Sequence, residues 1–191
     1  MKTVSIFLCL AMITVAACNN EGKDNVEKAD SINKAKDDNA MNNNTVTVDQ
    51  ESSEFLVRVA DAGMNEVDIT KLAQEKASIP EVKSLASMLW TDHSQLNQQV
   101  KQLAQERNIT LPSTTSADHA KEMDDLKAKT GKNFDREFIR KMISKHNSSI
   151  DAFEKAVKDV KDSGVRTFAD NTLPKLRMHR DSAQAIEKKY W

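Results

Sequence analysis

The stretch NFDREFIRKMISKHNSSIDAFEKAVKDV, residues 133–160, decides the fold, because its apolar residues recur at spacings of three and four. This spacing places them on one face of an α-helix. A single imidazole, that of His146, interrupts the apolar face near its middle. The stretch therefore predicts a long amphipathic helix that buries one histidine. The positions on the face are Phe134, Phe138, Ile139, Met142, His146, Ile150, Phe153, Val157 and Val160.

Three other stretches show the same periodicity, and a polar residue again stands in the middle of each apolar face. Glu66 interrupts the face of the first helix, predicted over residues 54–77. His93 interrupts the second helix and His179 the fourth. The sequence thus predicts four amphipathic helices of similar length, each with one polar side chain at mid-height.

The connections between these helices predict how they are arranged. Short connections from helix one to two and from helix three to four are typical of antiparallel hairpins. Ser78 is expected to cap helix two, with Pro80 in its first turn. Between the hairpins, residues 108–132 form a long connection, expected to contain a short helix from near Ala117 to Gly131 and to run along the bundle.

Composition agrees with an all-α class. Four glycines and three prolines in 191 residues are too few for the many tight turns of a β-sandwich or barrel. The formal net charge of -1 gives no basic field that would attract nucleic acid, so no nucleic-acid partner is expected. The length allows a single ordinary domain with appendages.

The amino terminus has the pattern of an export signal. Lys2 supplies a positive charge, residues 4–15 are apolar, and the small residues Ala16 and Ala17 precede Cys18. The last residues of this pattern resemble the lipobox of bacterial lipoproteins. The resemblance implies that Cys18 is lipidated and anchors the chain to a membrane. The alternative is an ordinary secretory signal cleaved after Ala17, which would leave Cys18 as a free thiol.

These features divide the chain into three parts. Residues 1–17 are the predicted signal peptide, residues 18–53 are the lipidated cysteine and a disordered tether, and residues 54–191 are the helical domain. The export signal predicts that the protein is located in the bacterial cell envelope. Asn19 is not the aspartate associated with inner-membrane retention in some bacteria, which by resemblance favours the outer membrane, facing the periplasm.

The four polar side chains at mid-height are the candidate functional residues. Bundling helices of similar length brings Glu66, His93, His146 and His179 into one layer. Imidazole and carboxylate are ordinary ligands for zinc, copper or iron, so the layer predicts a site for one transition-metal ion. Asp92, beside His93, is expected as a further ligand or as an acceptor behind a ligand.

Two other interpretations of these residues stay open. The layer also fits a buried hydrogen-bonded network that only fixes helix register and pairing. Met88, Met142 and Met178 lie near the histidines and would suit a soft copper ion, although methionine at helical spacing more often fills a core. No protein partner can be predicted from the sequence.

A different short motif stands at the polar position of each helix. These are Glu66-Val67, Asp92-His93, His146, and Leu173-Pro174 followed by His179. In order and spacing they resemble the domain-of-unknown-function family DUF4142, over about residues 54–191. That family is assigned to the ferritin-like group, is common in bacterial envelopes and has no established activity. The resemblance implies a ferritin-like antiparallel four-helix bundle.

The sequence departs from the ferritin-like oxidases in its ligands. Their di-iron sites need glutamates on each helix pair and a Glu-x-x-His pattern on two helices, whereas here only Glu66 stands on an apolar face. Iron storage, dioxygen activation and enzyme activity in general are therefore not expected. The sequence predicts a membrane-tethered envelope lipoprotein that binds a transition metal or small ligand. The alternative is a non-catalytic structural or interaction module.

Overall fold

The computed structural model describes residues 25–42 and 49–191, which form α-helices and no β-strand. The all-α class expected from composition is confirmed for this part of the chain. The predicted signal peptide and Cys18 lie outside the described residues. No helix within the described ranges is long and apolar enough to cross a membrane. The helices are α1 Asn25–Asn42, α2 Gln50–Lys76, α3 Pro80–Glu106, α4 Ala117–Lys127, α5 Gly131–Asp159 and α6 Ser163–Tyr190.

Four long helices, α2, α3, α5 and α6, form two hairpins that pack against each other. Residues 77–79 join α2 to α3, and residues 160–162 join α5 to α6, so each pair is antiparallel as predicted. The hairpins contact each other through α2 with α5 and α3 with α6. The expected short helix in the long connection is α4. It begins at Ala117 but ends earlier than predicted, because Gly131 already starts α5 with a φ of 54°.

The buried core consists of two apolar clusters, one at each end of the bundle. The end that contains Phe55 and Phe153 also holds the start of α6, and the other end contains Ile69 and Phe138. Along α3 and α5 the chain passes from the second cluster to the first, whereas along α2 and α6 it passes from the first to the second. Helices α3 and α5 therefore run in the same direction, and the connection between them returns along the bundle.

The start of α3 is held differently from the prediction. Its cap position is Ile79, which makes no side-chain cap, rather than Ser78. Instead, the buried carboxylate of Asp135 on α5 accepts hydrogen bonds from the backbone N–H groups of Ser78 and Ile79, each at 3.0 Å, and from the Ser78 hydroxyl. The cap thus comes from another helix and ties the two hairpins together.

Part of the segment expected to be a disordered tether is helical. In α1, Ala29 and Asn33 are buried, and the Asn33 side chain exchanges two hydrogen bonds with the Thr110 backbone, at 2.9 and 2.7 Å. Composition suggested a flexible coil because this segment has few large apolar residues. The amide pairs with the long connection, and that contact gives the helix a place to pack. Residues 50–53 of the expected tether are also helical, as the first turn of α2, whereas residues 19–24 and 43–48 lie outside the described ranges.

Candidate metal centre

The structure brings the four predicted polar side chains together in the layer between the two apolar clusters. Each comes from a different long helix: Glu66 from α2, His93 from α3, His146 from α5 and His179 from α6. Their exposed fractions are 3%, 2%, 0% and 1%, respectively. They meet because each lies midway along its helix. On every one of these helices, the residues before it belong to one apolar cluster and the residues after it to the other.

Three imidazole nitrogens face one another at the centre of the layer. Nε2 of His146 lies 3.4 Å from Nε2 of His93 and 3.3 Å from Nδ1 of His179. One nitrogen from each ring can be chosen so that all three lie within 4.8 Å of one another. Metal–nitrogen bonds of about 2.0–2.1 Å at a tetrahedral angle separate two ligand nitrogens by about 3.3–3.4 Å. The two short separations therefore match those expected around one ion.

The other nitrogen of each ring contacts a group that can only accept a hydrogen bond. Nδ1 of His146 lies 2.8 Å from the Met142 carbonyl oxygen, and Nε2 of His179 lies 2.8 Å from Oδ2 of Asp92. Because a carbonyl and a carboxylate cannot donate, these outer nitrogens carry the protons and donate them. In the neutral rings, the inner nitrogens then present lone pairs to the centre.

His93 follows the same arrangement with a looser contact. Its Nδ1 lies 3.0 Å from Oε2 of Glu66, but the carboxylate oxygen is off the line of the N–H bond. This contact is an electrostatic attraction rather than a directed hydrogen bond, because the distance is short while the angle is poor. The charge still favours a proton on Nδ1, so the inner Nε2 of neutral His93 also offers a lone pair.

The pKa values agree with this assignment for two of the rings. Burial lowers the pKa of His146, and burial lowers that of His179 to about 4 despite the neighbouring Asp92. Both rings are therefore neutral at neutral pH and able to bind a cation. Burial alone would raise the pKa of Glu66, but His93 and His146 outweigh it and lower the value to about 2. The Glu66 charge in turn outweighs burial and raises the pKa of His93.

Glu66 and Asp92 contact the outer nitrogens rather than the centre. Asp92 accepts from His179 through Oδ2, and its Oδ1 lies 2.7 Å from the Lys175 ammonium. Asp92 thus has the geometry of an acceptor behind a ligand, one of the two roles expected for it. Glu66 holds the equivalent place behind His93. Among the described residues, histidines alone make up the inner set, whose ligand atoms lie within 4.8 Å of one another.

Sequence reasoning missed two partners of the layer, Lys175 and the Met142 carbonyl. Lys175 could have been found, since it lies four residues before His179 and so on the same helical face. The carbonyl carries no signal in the sequence, because every helical residue has one. Met142 and Met88 pack in or against an apolar cluster, and the Met178 side chain is 43% exposed, so none is placed among the inner nitrogens.

A family model described as "Domain of unknown function (DUF4142)" matches residues 35–186 of the chain. No curated protein matches its sequence significantly.

Several solved structures share the fold at low identity. A DUF305 fragment from Deinococcus radiodurans is 15% identical, with a TM-score of 0.67 over 75% of this chain and 99% of that one. CopM in its Cu(I)-bound form is 20% identical, with a TM-score of 0.64 over 73% of this chain and 97% of that one. CopM has also been solved in Cu(II)-bound and Ag-bound forms. A conserved hypothetical protein from Mycobacterium tuberculosis is 12% identical, with a TM-score of 0.56 over 71% and 96% of the two chains. At these identities the likeness establishes a shared helical-bundle fold.

Proposed function

The chain belongs to the DUF4142 family, as its short motifs indicated, and we propose that it binds one transition-metal ion between His93, His146 and His179. The observation that carries the proposal is the convergence of three imidazole nitrogens in a buried layer. Lone pairs that face one another at this distance repel unless a proton or a metal ion lies between them. Buried polar groups in proteins are nearly always satisfied, and one ion at the centre would satisfy all three nitrogens together.

Copper or silver in the +1 state suits this set best among the candidate ions. With His93 in its neutral form, the three imidazoles would form a three-coordinate site, and the inner set contains no carboxylate that would favour a harder ion. Zinc or Cu(II) would need a fourth donor such as water. CopM, which shares the fold, has been solved with copper and silver ions. A di-iron site lacks bridging carboxylates, so we do not propose iron oxidation or storage.

We also propose that the four long helices form a bundle of the ferritin-like type. The direction of α3 and α5, which run parallel with a connection that returns along the bundle, supports this. In that architecture, cofactor and metal sites lie between facing helices at mid-height. The histidine layer occupies that place.

Metal titration of the full, tag-free mature chain tests the binding function. We expect one equivalent of Cu(I) or Ag(I) per chain, measured by native mass spectrometry and by competition with a chromogenic chelator. The same protein with His93, His146 and His179 all replaced by asparagine should bind no ion tightly. A stoichiometry below one for Cu(I), Ag(I), Cu(II) and Zn(II) alike after reconstitution would remove the proposal.

A second candidate function is that of a non-catalytic packing or interaction module. The observation in its favour is that each outer nitrogen already lies close to an acceptor group, so the layer could serve only to fix helix register. If the layer only fixes packing, the wild-type protein binds no metal and the asparagine variant loses its helix pairing. The metal titration therefore distinguishes a packing module from a metal-binding protein.

We propose, further, that the protein is tethered to the bacterial outer membrane through a lipid on Cys18 and faces the periplasm. The support is the signal-like pattern of residues 1–17 and Asn19 after the cysteine. Several acyl chains on one residue anchor firmly, because each buried methylene contributes about 0.8 kcal/mol.

Replacement of Cys18 tests this anchor. In cells, Cys18→Ser should move the protein from the membrane to the soluble fraction, and intact mass should drop by the acyl groups. Cys9→Ser, inside the predicted signal, is the control and should change neither. Equal membrane recovery of both variants with no acyl mass on either would contradict the anchor.

A further inference from the structure

A cavity of about 290 Å³ opens beside the histidine layer, between α2, α3 and α5. Glu66 and His93 line its inner end. Its mouth opens to solvent, since Arg58, Ser144 and Ser148 on the rim are exposed. The volume is near the lower end of the range for small-molecule sites, about 300–1,000 Å³. A small molecule fits this space, whereas a folded partner does not.

The walls of the cavity are mostly apolar. Phe55, Val59, Phe153 and Leu176 line it and are themselves buried, and the Phe55 and Phe153 rings meet edge to face at 5.0 Å. Apolar and aromatic walls favour the hydrocarbon part of a ligand and also accept a cation over a ring face. The cavity walls therefore favour a ligand with an apolar body.

Two polar atoms at the inner end have no hydrogen-bond partner among the described residues, Nδ1 of His93 and Oε1 of Glu66. Oε1 of Glu66 is buried, and none of the described residues donates to it. Nδ1 of His146 is 3.9 Å away, beyond hydrogen-bond distance, and donates to the Met142 carbonyl instead. The other carboxylate oxygen, Oε2, faces His93. A buried carboxylate oxygen without a donor is costly, so a donor entering the cavity would be stabilised there.

The two cationic side chains that line the cavity, Arg58 and Lys145, do not make it a binding site for anions. Nζ of Lys145 lies 2.7 Å from a carboxylate oxygen of Glu122, and a guanidinium nitrogen of Arg58 lies 3.5 Å from one of Glu54. Both cations are thus matched by nearby acids. At the inner end, Oε1 of the Glu66 carboxylate, the oxygen that does not contact His93, is the acceptor that the cavity presents to an incoming ligand.

We propose that this cavity binds a small amphipathic amine, whose ammonium group donates to Oε1 of Glu66 while its apolar body packs against Phe55 and Phe153. The site is separate from the inner nitrogens and does not depend on a bound metal. Because Oε2 of the same carboxylate contacts His93, the amine would lie directly behind one ligand of the proposed metal centre.

Titration of the metal-free full mature chain with three probes of equal length tests the proposal. Hexylammonium should bind at one saturable site, detected by calorimetry and by shifts of methyl NMR signals from the cavity wall. It should bind about tenfold or more tighter than 1-hexanol, since a charge-assisted hydrogen bond replaces a neutral one. Hexanoate should bind more weakly than 1-hexanol. No saturable binding of hexylammonium, or equal binding of hexanoate, would overturn the proposal.

Two variants locate the site. Glu66→Gln should remove the preference for hexylammonium over 1-hexanol, and a preference that survives would also overturn the proposal. If Glu66→Gln fails to fold, Ser148→Trp at the exposed mouth provides the test, because it should block every probe while the fold persists. Ser84→Trp, equally exposed on α3 and away from the cavity, should leave binding unchanged. Binding unaffected by Ser148→Trp would place the probe elsewhere and refute the proposal.

Discussion

His146→Ala is expected to weaken binding of the first equivalent of Cu(I) by more than about 100-fold, because even the loss of a group behind a ligand commonly costs about 10- to 100-fold. His146 is the central ring: its Nε2 lies within 3.4 Å of inner nitrogens of both His93 and His179. Without His146, only the nitrogens of His93 and His179 remain to bind the ion, and both short nitrogen–nitrogen separations are lost. Competition with a chelator of known Cu(I) affinity measures the change.

His119→Ala is the matched control for this variant. His119 is the one histidine of the chain outside the layer, since it lies on α4, where its ring contacts Asp61. Its loss should change Cu(I) affinity by less than a factor of two or so. Circular dichroism of both metal-free variants would show that the helices persist. Equal affinity of His146→Ala and wild-type protein would contradict a site built on the three rings.

Asp135→Ala is expected to lower the free energy of unfolding of the metal-free protein by about 2–5 kcal/mol. The carboxylate is fully buried and accepts from two backbone N–H groups at the start of α3. Each buried donor left without an acceptor costs about 1–3 kcal/mol, and Asp135 supplies the cap that Ser78 does not. Urea unfolding followed by circular dichroism gives the difference from the midpoint and slope.

Asp151→Ala is the control for this stability change. Asp151 lies on the same helix but is exposed, so its loss should change the free energy of unfolding by no more than about 0.5 kcal/mol. Asp135→Asn should fall between the two, because the amide keeps one oxygen acceptor. A loss at Asp135 no larger than that at Asp151 would show that the α3 start is held by other contacts.

The four long helices and the polar layer could be predicted because both depend on local periodicity. A residue in the middle of an apolar stripe must face the core, and Glu66, His93, His146 and His179 all stand at such positions. Helices of similar length then bring mid-helix residues to one height. No knowledge of long-range contacts was needed for that step.

The roles within the layer could not be predicted, because they depend on which nitrogen of each ring faces inward. Glu66 was expected among the ligands, yet it contacts the outer nitrogen of His93, and Asp92 contacts the outer nitrogen of His179. A half-turn of a ring about its Cβ–Cγ bond would place carbon atoms where its two nitrogens now lie, without any change of sequence. The acceptors behind the rings, one of them a backbone carbonyl, make that choice.

Two further differences have the same tertiary origin. The helix α1 is held by the pairing of Asn33 with Thr110, far along the chain. The start of α3 is held by Asp135 from another hairpin rather than by its own Ser78. Propensity and capping rules describe contacts within a few residues, so they cannot report acceptors or donors supplied from elsewhere in the fold.

The layer also explains the division of the core. Apolar residues fill both ends of the bundle, and the four polar groups separate them at mid-height. A buried polar layer commonly destabilises a bundle relative to an apolar one of the same volume, so its presence calls for a compensating role. Binding of an ion by the three inner nitrogens would supply that compensation, since a ligand that binds only the folded state stabilises it.

X-ray absorption of the copper-loaded mature chain tests the metal centre most directly. We expect a first shell of three nitrogens at about 2.0 Å with the multiple-scattering pattern of imidazole, in keeping with metal–imidazole bonds of about 2.0–2.1 Å. A first shell of water or carboxylate oxygens without imidazole scattering, or one dominated by sulfur, would contradict a centre formed by His93, His146 and His179.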